Sequence, residues 1–271
     1  MPDILRFTIL GCGSSPGVPR INGDWGACDP ANPKNRRLRS SMLVERIKSS
    51  GEKTIVVIDT GPDFRQQMVN AEVRRVDAVV YTHAHADHIH GIDDLRGFWL
   101  EHKRLIDIYA DEPTSERLRG GFLYCFETPK GSYYPPIVRE NRIVHHTPFA
   151  ISGPGGDIVF EPLPQQHGGI ISLGFRIENI AYCSDVSDFP AATAARLTGL
   201  ETLVIDALQI EPHPTHISLS QSLAWIGKLA PKRAILTHMH TPMDYGTVLK
   251  MTPDNVEPGF DGLVFETAVG A

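Results

Sequence analysis

The sequence predicts an α/β fold. Short apolar runs rich in β-branched and aromatic residues recur along the chain, and several are followed directly by histidine or aspartate. Such runs read as buried strands, and open α/β sheets gather their functional groups where strands end. Size points the same way: 271 residues, 41% apolar and 21% charged, are enough for a two-sheet core and exclude a disordered chain. No internal repeat or low-complexity linker interrupts the sequence, so a single domain over residues 1–271 is expected.

No apolar run approaches the length of a membrane span, and the first residues lack the basic, then apolar, then small-residue pattern of a secretory signal. A cytoplasmic protein without membrane contact is expected. Cys12, Cys28, Cys125 and Cys183 are scattered without paired spacing, as in compartments where thiols stay reduced. A formal net charge of −6 disfavours broad electrostatic capture of nucleic acid.

In chain order, residues 4–10 form an apolar strand leading into a loop, 11–19, with Gly11, Gly13 and Gly17. That loop suits either tight turns or backbone N–H groups offered to an anion. A polar, proline-punctuated segment follows, with Arg36, Arg37 and Arg39 just before a strand at 42–47. A charge run is usually a solvated face, yet guanidinium groups match phosphate oxygens bidentately, so these arginines are candidate substrate contacts. The next apolar strand, 54–58, ends at Asp59, and Pro62 suits the first turn of a helix running to about residue 70.

The run 76–81 reads as a strand, and the loop behind it holds His83, His85, Asp87 and His88. Imidazole and carboxylate suit divalent cations such as zinc or manganese. Four ligands this close cannot all face one ion with good angles, so two metals are expected, His83 and His85 at one and Asp87 and His88 at the other. A helix is expected from residue 91, a strand at 106–110, a short helix at 113–119 and an aromatic, proline-rich loop at 122–136. Tyr133 and Tyr134 on that loop are candidates to stack on a base or sugar. His145 and His146 fall in a strand-like run at 142–147, where adjacent side chains face opposite ways.

Strands at 157–163, 171–177, 180–183, 202–206 and 234–238 complete the reading, with an apolar helix at 219–229. His167, Asp185 and His238 share the address of the histidine loop, just past a buried strand. His213 and His216 precede the helix, where Ser218 suits its N-terminus.

The loop from His83 to His88 resembles the signature of the metallo-β-lactamase superfamily, and matching patches run from Leu10 to Phe265. The resemblance implies an αββα sandwich of two facing mixed β-sheets with outer helices. It implies that His167 completes one metal site, that His238 completes the other, that Asp185 bridges both, and that Asp59 orients a metal-bound imidazole. A histidine in the position of His216 is not a ligand in the resembling phosphodiesterases and ribonucleases, and is the candidate general acid here, with His213 in reserve. The true β-lactamases of this fold usually place cysteine where Asp185 stands.

The pattern resembles most the phosphoribosyl cyclic phosphodiesterases of the carbon–phosphorus lyase pathway. Their accessory structural zinc is not expected, because only Cys28 remains of its cysteines and Thr241 replaces its histidine. The implied activity is hydrolysis of a small cyclic ribose phosphate or nucleotide by a hydroxide bridging two divalent cations, Zn2+ or Mn2+, in a chain for which a homodimer is a reasonable default. The alternatives are a transfer-RNA 3′-processing endonuclease, a thioester or lactone hydrolase, and a metal-binding scaffold without turnover. Only 17 residues separate His167 from Asp185, too few for the RNA-gripping arm of the endonuclease branch.

Overall fold

The computed structural model describes residues 3–270. The first half of the chain lays down β1 (Ile4–Gly11), β2 (Ser41–Ile47), β3 (Lys53–Ile58), β4 (Ala78–Val80), β5 (Ile106–Ala110) and β6 (Val138–Arg142). Between them lie helices α1 (Phe64–Asn70), α2 (Ala86–Ile89), α3 (Arg96–His102) and α4 (Glu112–Phe126). The second half adds β7 (Phe149–Ile151), β8 (Ile158–His167), β9 (Ile170–Ile177), β10 (Ile180–Cys183), β11 (Thr202–Asp206), β12 (Arg233–Thr237), β13 (Val256–Pro258) and β14 (Val264–Ala268). Helices α5 (Ala191–Arg196), α6 (Leu219–Leu229) and α7 (Tyr245–Met251) belong to this half.

The strands form two seven-stranded sheets, ordered β14-β1-β2-β3-β4-β5-β6 and β13-β12-β11-β10-β9-β8-β7. Each is mixed, with β3 to β6 parallel in one and β10 to β13 parallel in the other. Alternation along the strands explains the layering. Met42, Val44, Val56, Ile58, Ala78 and Val80 share one buried cluster with Phe160, Phe175, Val204 and Ile235 of the second sheet. Leu43, Val57 and Val79 point the other way, into a cluster with Phe64 and Met68 of α1 and Leu118 of α4. Strands covered on both faces read as unbroken apolar runs, which is why β3 and β4 were legible without any polar alternation.

Helix α6 matches its expected bounds because its ends are chemically marked. Ser218 Oγ accepts from the Gln221 N–H, and the Ser218 N–H donates back to Gln221 Oε1 at 2.8 Å, a reciprocal capping box. Ser218→Ala is expected to cost about 1 kcal/mol of stability. Thermal unfolding should show a midpoint lower by about 2–4 °C, and an unchanged midpoint would assign the helix start to packing alone.

Four expectations are corrected. The histidine loop is not all loop: residues 86–89 turn into α2, with Asp87 in a first turn that favours negative charge. The helix expected at 113–119 runs on to Phe126 through non-helical backbone at Phe122, so the aromatic loop starts later. Gly120 and Gly121 weaken the helical signal there, but burial of Cys125 carries the helix past them. The strand expected at 142–147 lies instead at 138–142, where β6 pairs with β5 from Ile106↔Val138 to Ala110↔Arg142. His145 and His146 fall in the turn after it, His146 at φ 58°. Finally, β8 continues through Pro162 and Pro164 to His167, which the ladder tolerates because β7 pairs only with residues 158–160.

Candidate active site

The parallel strands of both sheets point their carboxyl ends at one edge, where cross-sheet hydrogen bonds bind the rims together. The Leu173 N–H donates to Thr82 O at 2.9 Å and the Met239 N–H to Cys12 O at 2.8 Å. Asp59 follows β3, His83 follows β4, His167 ends β8, Asp185 follows β10, Asp206 ends β11 and His238 follows β12. Asp59, Asp185 and His238 take positive φ of 65°, 53° and 57°. Non-glycine residues rarely adopt that backbone, and the strain concentrates where side chains must turn back into a site.

The structure brings the seven candidate ligands together in two adjoining groups. His83, His85 and His167 form one, and Asp87, His88, Asp185 and His238 the other. Asp185 faces both: its Oδ2 lies 3.3 Å from His88 Nε2 and 3.2 Å from His238 Nδ1, and its Oδ1 lies 3.9 Å from His83 Nε2 and 4.0 Å from His167 Nε2. Asp87 Oδ2 is 3.3 Å from His88 Nε2, and His85 Nδ1 is 3.2 Å from His167 Nε2. His85 is exposed, whereas His83, His88, His167, Asp185 and His238 are each at most 3% exposed.

Surrounding groups fix which ring nitrogen faces inward. Asp59 accepts from the Thr82 N–H and from Thr82 Oγ1, both at 2.8 Å, and its Oδ2 lies 2.7 Å from His88 Nδ1. Thr82 Oγ1, having donated to Asp59, accepts from His83 Nδ1 at 3.0 Å, while His167 Nδ1 donates to Thr215 O at 2.8 Å. With Nδ1 held by these partners in all three rings, each Nε2 faces the cluster, and a ring that is neutral or gives up its Nε2 proton presents a lone pair there. Ser40 Oγ donates to Gly13 O and lies 3.1 Å from His238 Nδ1, and Ser15 Oγ donates to Asp87 Oδ2 at 2.8 Å.

These donors suit divalent metal ions by their own protonation and hydrogen bonding. His83 Nε2, His88 Nε2 and Asp185 Oδ2 are buried without a hydrogen-bond partner, the condition of atoms that await a cation. Burial holds His83 and His167 below the usual imidazole range and brings His238 down to about 3, so these rings are neutral. Burial also opposes charge on Asp185, but His238 and His88 outweigh it and keep the carboxyl well below its ordinary value. At His88 burial is overcome by Asp185, Asp87 and Asp59, which retain positive charge where an ion would otherwise supply it. Asp59→Asn, which keeps a side chain suited to positive φ, is expected to weaken metal binding about 10- to 100-fold. Competition against a chromophoric chelator measures this, and unchanged affinity would contradict the orienting role.

His216 stands at the rim, its ring 4.6 Å from that of His167 and 4.8 Å from that of His238. Its Nδ1 donates to Asp206 Oδ2 at 2.7 Å, and the same oxygen accepts from the Val186 N–H at 3.0 Å. Burial disfavours its imidazolium, but the Asp206 bond and charge prevail and raise its pKa. The ring of His213 lies 5.5 Å away, partly exposed.

The other candidates are placed differently. Arg37 is buried, with Nη2 donating to Met243 O at 2.6 Å and Nη1 3.7 Å from Cys28 Sγ. It braces the chain below the surface instead of meeting a substrate, because Asn35, Cys28 and the 241–243 segment enclose it. Arg36 is exposed over the Trp25 ring. Arg39 donates to both Asp63 oxygens and to Ser15 O, which places it beside the serine that holds Asp87. Tyr133 projects fully into solvent and Tyr134 lies against Arg96. Sequence reasoning passed over the supporting Ser15, Ser40, Thr82 and Asp206. Of these only Asp206, at a strand end, carried a visible signal.

Residues 54–239 match the family model of the β-lactamase superfamily domain. The chain is similar to the crystal structure of a diphosphatase from the PhnP family, with 35% identity and a TM-score of 0.86 over 97% of both chains. Zinc-bound PqqB from Methylobacterium extorquens shares the fold at 18% identity and a TM-score of 0.73, covering 96% of this chain and 99% of that one. Human tRNase Z, short form, does so at 17% and 0.65, covering 96% and 98%. An octanoyltransferase of Porphyromonas gingivalis (strain ATCC BAA-308 / W83) is 31% identical over 265 residues, 96% of this chain but 51% of that protein, so the chain spans about half the length of this curated relative. No helix among the described residues is long and apolar enough to cross a membrane. With the family model covering the strands that carry all seven candidate ligands, the chain belongs to the β-lactamase superfamily.

Proposed function

We propose that the protein hydrolyses a phosphodiester in a small cyclic ribose phosphate or nucleotide. Two divalent cations, Zn2+ or Mn2+, held by His83, His85 and His167 and by Asp87, His88 and His238 with Asp185 between, would supply Lewis acidity and an acidified water. The chain's own contribution is orientation and proton supply. Asp59, Thr82 and the Thr215 carbonyl fix the inward tautomers of His88, His83 and His167.

One observation carries the reading: a rim imidazole, His216, is held by a buried carboxylate and its protonated form is favoured. Departure of a sugar alkoxide requires a proton, because an alkoxide is far too basic to leave as a free anion in neutral water. A thiolate, with a pKa near 8.5 for an ordinary thiol, leaves without one. A general acid beside the metals therefore favours phosphate ester over thioester chemistry. The 35% identity to a PhnP-family diphosphatase supports phosphate chemistry as well.

A second reading, hydrolysis of an acyl thioester, is favoured by one observation, the 31% identity to half of a protein named octanoyltransferase. Metal-replete protein assayed on cyclic ribose phosphates, bis-p-nitrophenyl phosphate, an acyl thioester and precursor transfer RNA separates these readings. Turnover of the cyclic phosphates is the expected result. Turnover of the thioester alone would replace the phosphodiesterase reading, and cleavage of the RNA alone would favour the endonuclease.

A further inference from the structure

The connection from β13 to β14 carries a carboxylate with no part in the site described above. Asp261 Oδ1 accepts from the Cys12 N–H at 3.1 Å, and Oδ2 accepts from the Leu38 N–H at 2.7 Å, groups 249 and 223 residues away in sequence. The Cys12 thiol donates to the same Oδ1 at 3.5 Å. The connection itself is pinned: the Gly262 N–H donates to Ile9 O at 2.7 Å, and the Gly259 N–H donates to Leu236 O at 2.8 Å. One carboxylate on a fixed base therefore joins the loop leaving β1 to the segment entering β2.

Both segments end on candidate metal ligands. Just past Cys12, the Ser15 hydroxyl donates to Asp87, and just past Leu38, the Ser40 hydroxyl lies against His238. The segments are also tied to each other, because the Gly13 N–H donates to Leu38 O at 2.8 Å and Ser40 Oγ donates to Gly13 O at 3.1 Å. They pack so closely that a β-carbon on Gly13 would come within 2.9 Å of Leu38 O. An ionised carboxylate accepts on both oxygens, whereas a protonated one turns one oxygen into a donor. Burial pushes Asp261 up to about 7 against the pull of its N–H donors and of Arg37, so its charge changes near neutrality. The groups that face it do not change with it. Burial and Asp261 hold the Cys12 thiol well above its usual range, and the Arg37 guanidinium is a fixed positive charge. Arg6, Lys53 and Arg75, which line an outer-face cavity of about 830 Å³ together with Asp261, Glu72 and Arg74, are paired with Glu266, Glu45 and Asp77.

We propose that Asp261 is a positioning residue for the metal ligands: its ionised carboxylate holds the loop after β1 and the segment before β2 in register, so that Ser15 and Ser40 meet Asp87 and His238. The proposal rests on the reading of the cluster as a metal site, not on the identity of the substrate. Asp261 touches no ligand and acts only through the two serines, so its effect depends on their presence and on its own charge.

Competition for Zn2+ against a chromophoric chelator would compare the wild-type chain, Asp261→Asn, the double variant Ser15→Ala/Ser40→Ala, and the triple variant. Asparagine has one acceptor oxygen for two N–H groups and turns its own amide hydrogens towards the other. At about pH 8.5 the zinc affinity of Asp261→Asn is expected to fall about tenfold, the lower end of the range for groups that orient ligands from outside. In the serine-free background the same change should cost less than about twofold, because coupled residues are not additive. The ratio of wild-type to serine-free affinity should also shrink as the pH drops through about 7, where Asp261 gains its proton. Protonation of the ligand histidines is common to both proteins and cancels in that ratio. An unchanged affinity in Asp261→Asn, or an equal loss with and without the serines, would overturn the positioning role. If Asp261→Asn does not fold, the pH comparison decides alone, and a ratio that stays constant across that range overturns the proposal. A wild-type chain that binds no zinc removes the metal reading itself, an outcome distinct from zinc binding that is indifferent to Asp261.

Discussion

Asp185→Asn is expected to reduce turnover by at least about 10³-fold, in step with loss of bound metal. The estimate follows from Lewis-acid stabilisation worth several kcal/mol at about 1.4 kcal/mol per tenfold. Asp185 is the group that faces both halves of the cluster, with one oxygen toward His88 and His238 and the other toward His83 and His167. Asparagine keeps the shape and accepts the φ of 53°, but replaces a negative charge by a neutral amide. In the apoprotein the Asp185 carboxylate is favourably paired with His238 and His88, so the metal-free variant should melt below metal-free wild type. Elemental analysis and thermal unfolding check both halves of the expectation. Full metal content with full activity would remove Asp185 from the bridge.

His216→Ala is expected to slow hydrolysis of cyclic ribose phosphates by about 10²- to 10⁴-fold, the usual range for loss of a general acid. Bis-p-nitrophenyl phosphate, whose leaving group departs without a proton, should lose less than about tenfold. His216 also lies close enough to His167 and Asp185 to share an ion with them, so the metal content of the variant matters. Unchanged metal with the substrate-dependent loss identifies an acid. Equal losses on both substrates, or loss of metal, would make His216 a ligand. Asp206→Asn should give a smaller loss with the same substrate dependence, because Asp206 acts only through the ring it holds.

How legible each element was depended on how local its cause is. Strands β3, β10 and β11 were found because burial on both faces writes itself as an unbroken apolar run, β5 because Ile106, Ile108 and Ala110 alternate with half-buried Asp107 and Tyr109, and α6 because Ser218 and Gln221 mark its start. Helices α5 and α7 and strands β7, β13 and β14 were not read, being short segments whose shape comes from partners distant in sequence. The shift of β6 from the histidine pair to residues 138–142 has the same origin, since pairing with β5 fixed its register.

The sequence by itself determined the candidate donor set of this protein: four candidate ligands in one stretch after a strand, and three more at other strand ends, all of types that bind divalent ions. It determined no distances. Only the tertiary structure decided that Asp185 faces both ligand groups, that Arg37 is spent below the surface, and that Asp261 reaches the N–H groups of both Cys12 and Leu38. A residue's type and its place on a strand follow from local pattern. Which side chains meet follows from sheet order and packing, and those bring residues as far apart as Ser14 and His240 within 3.0 Å.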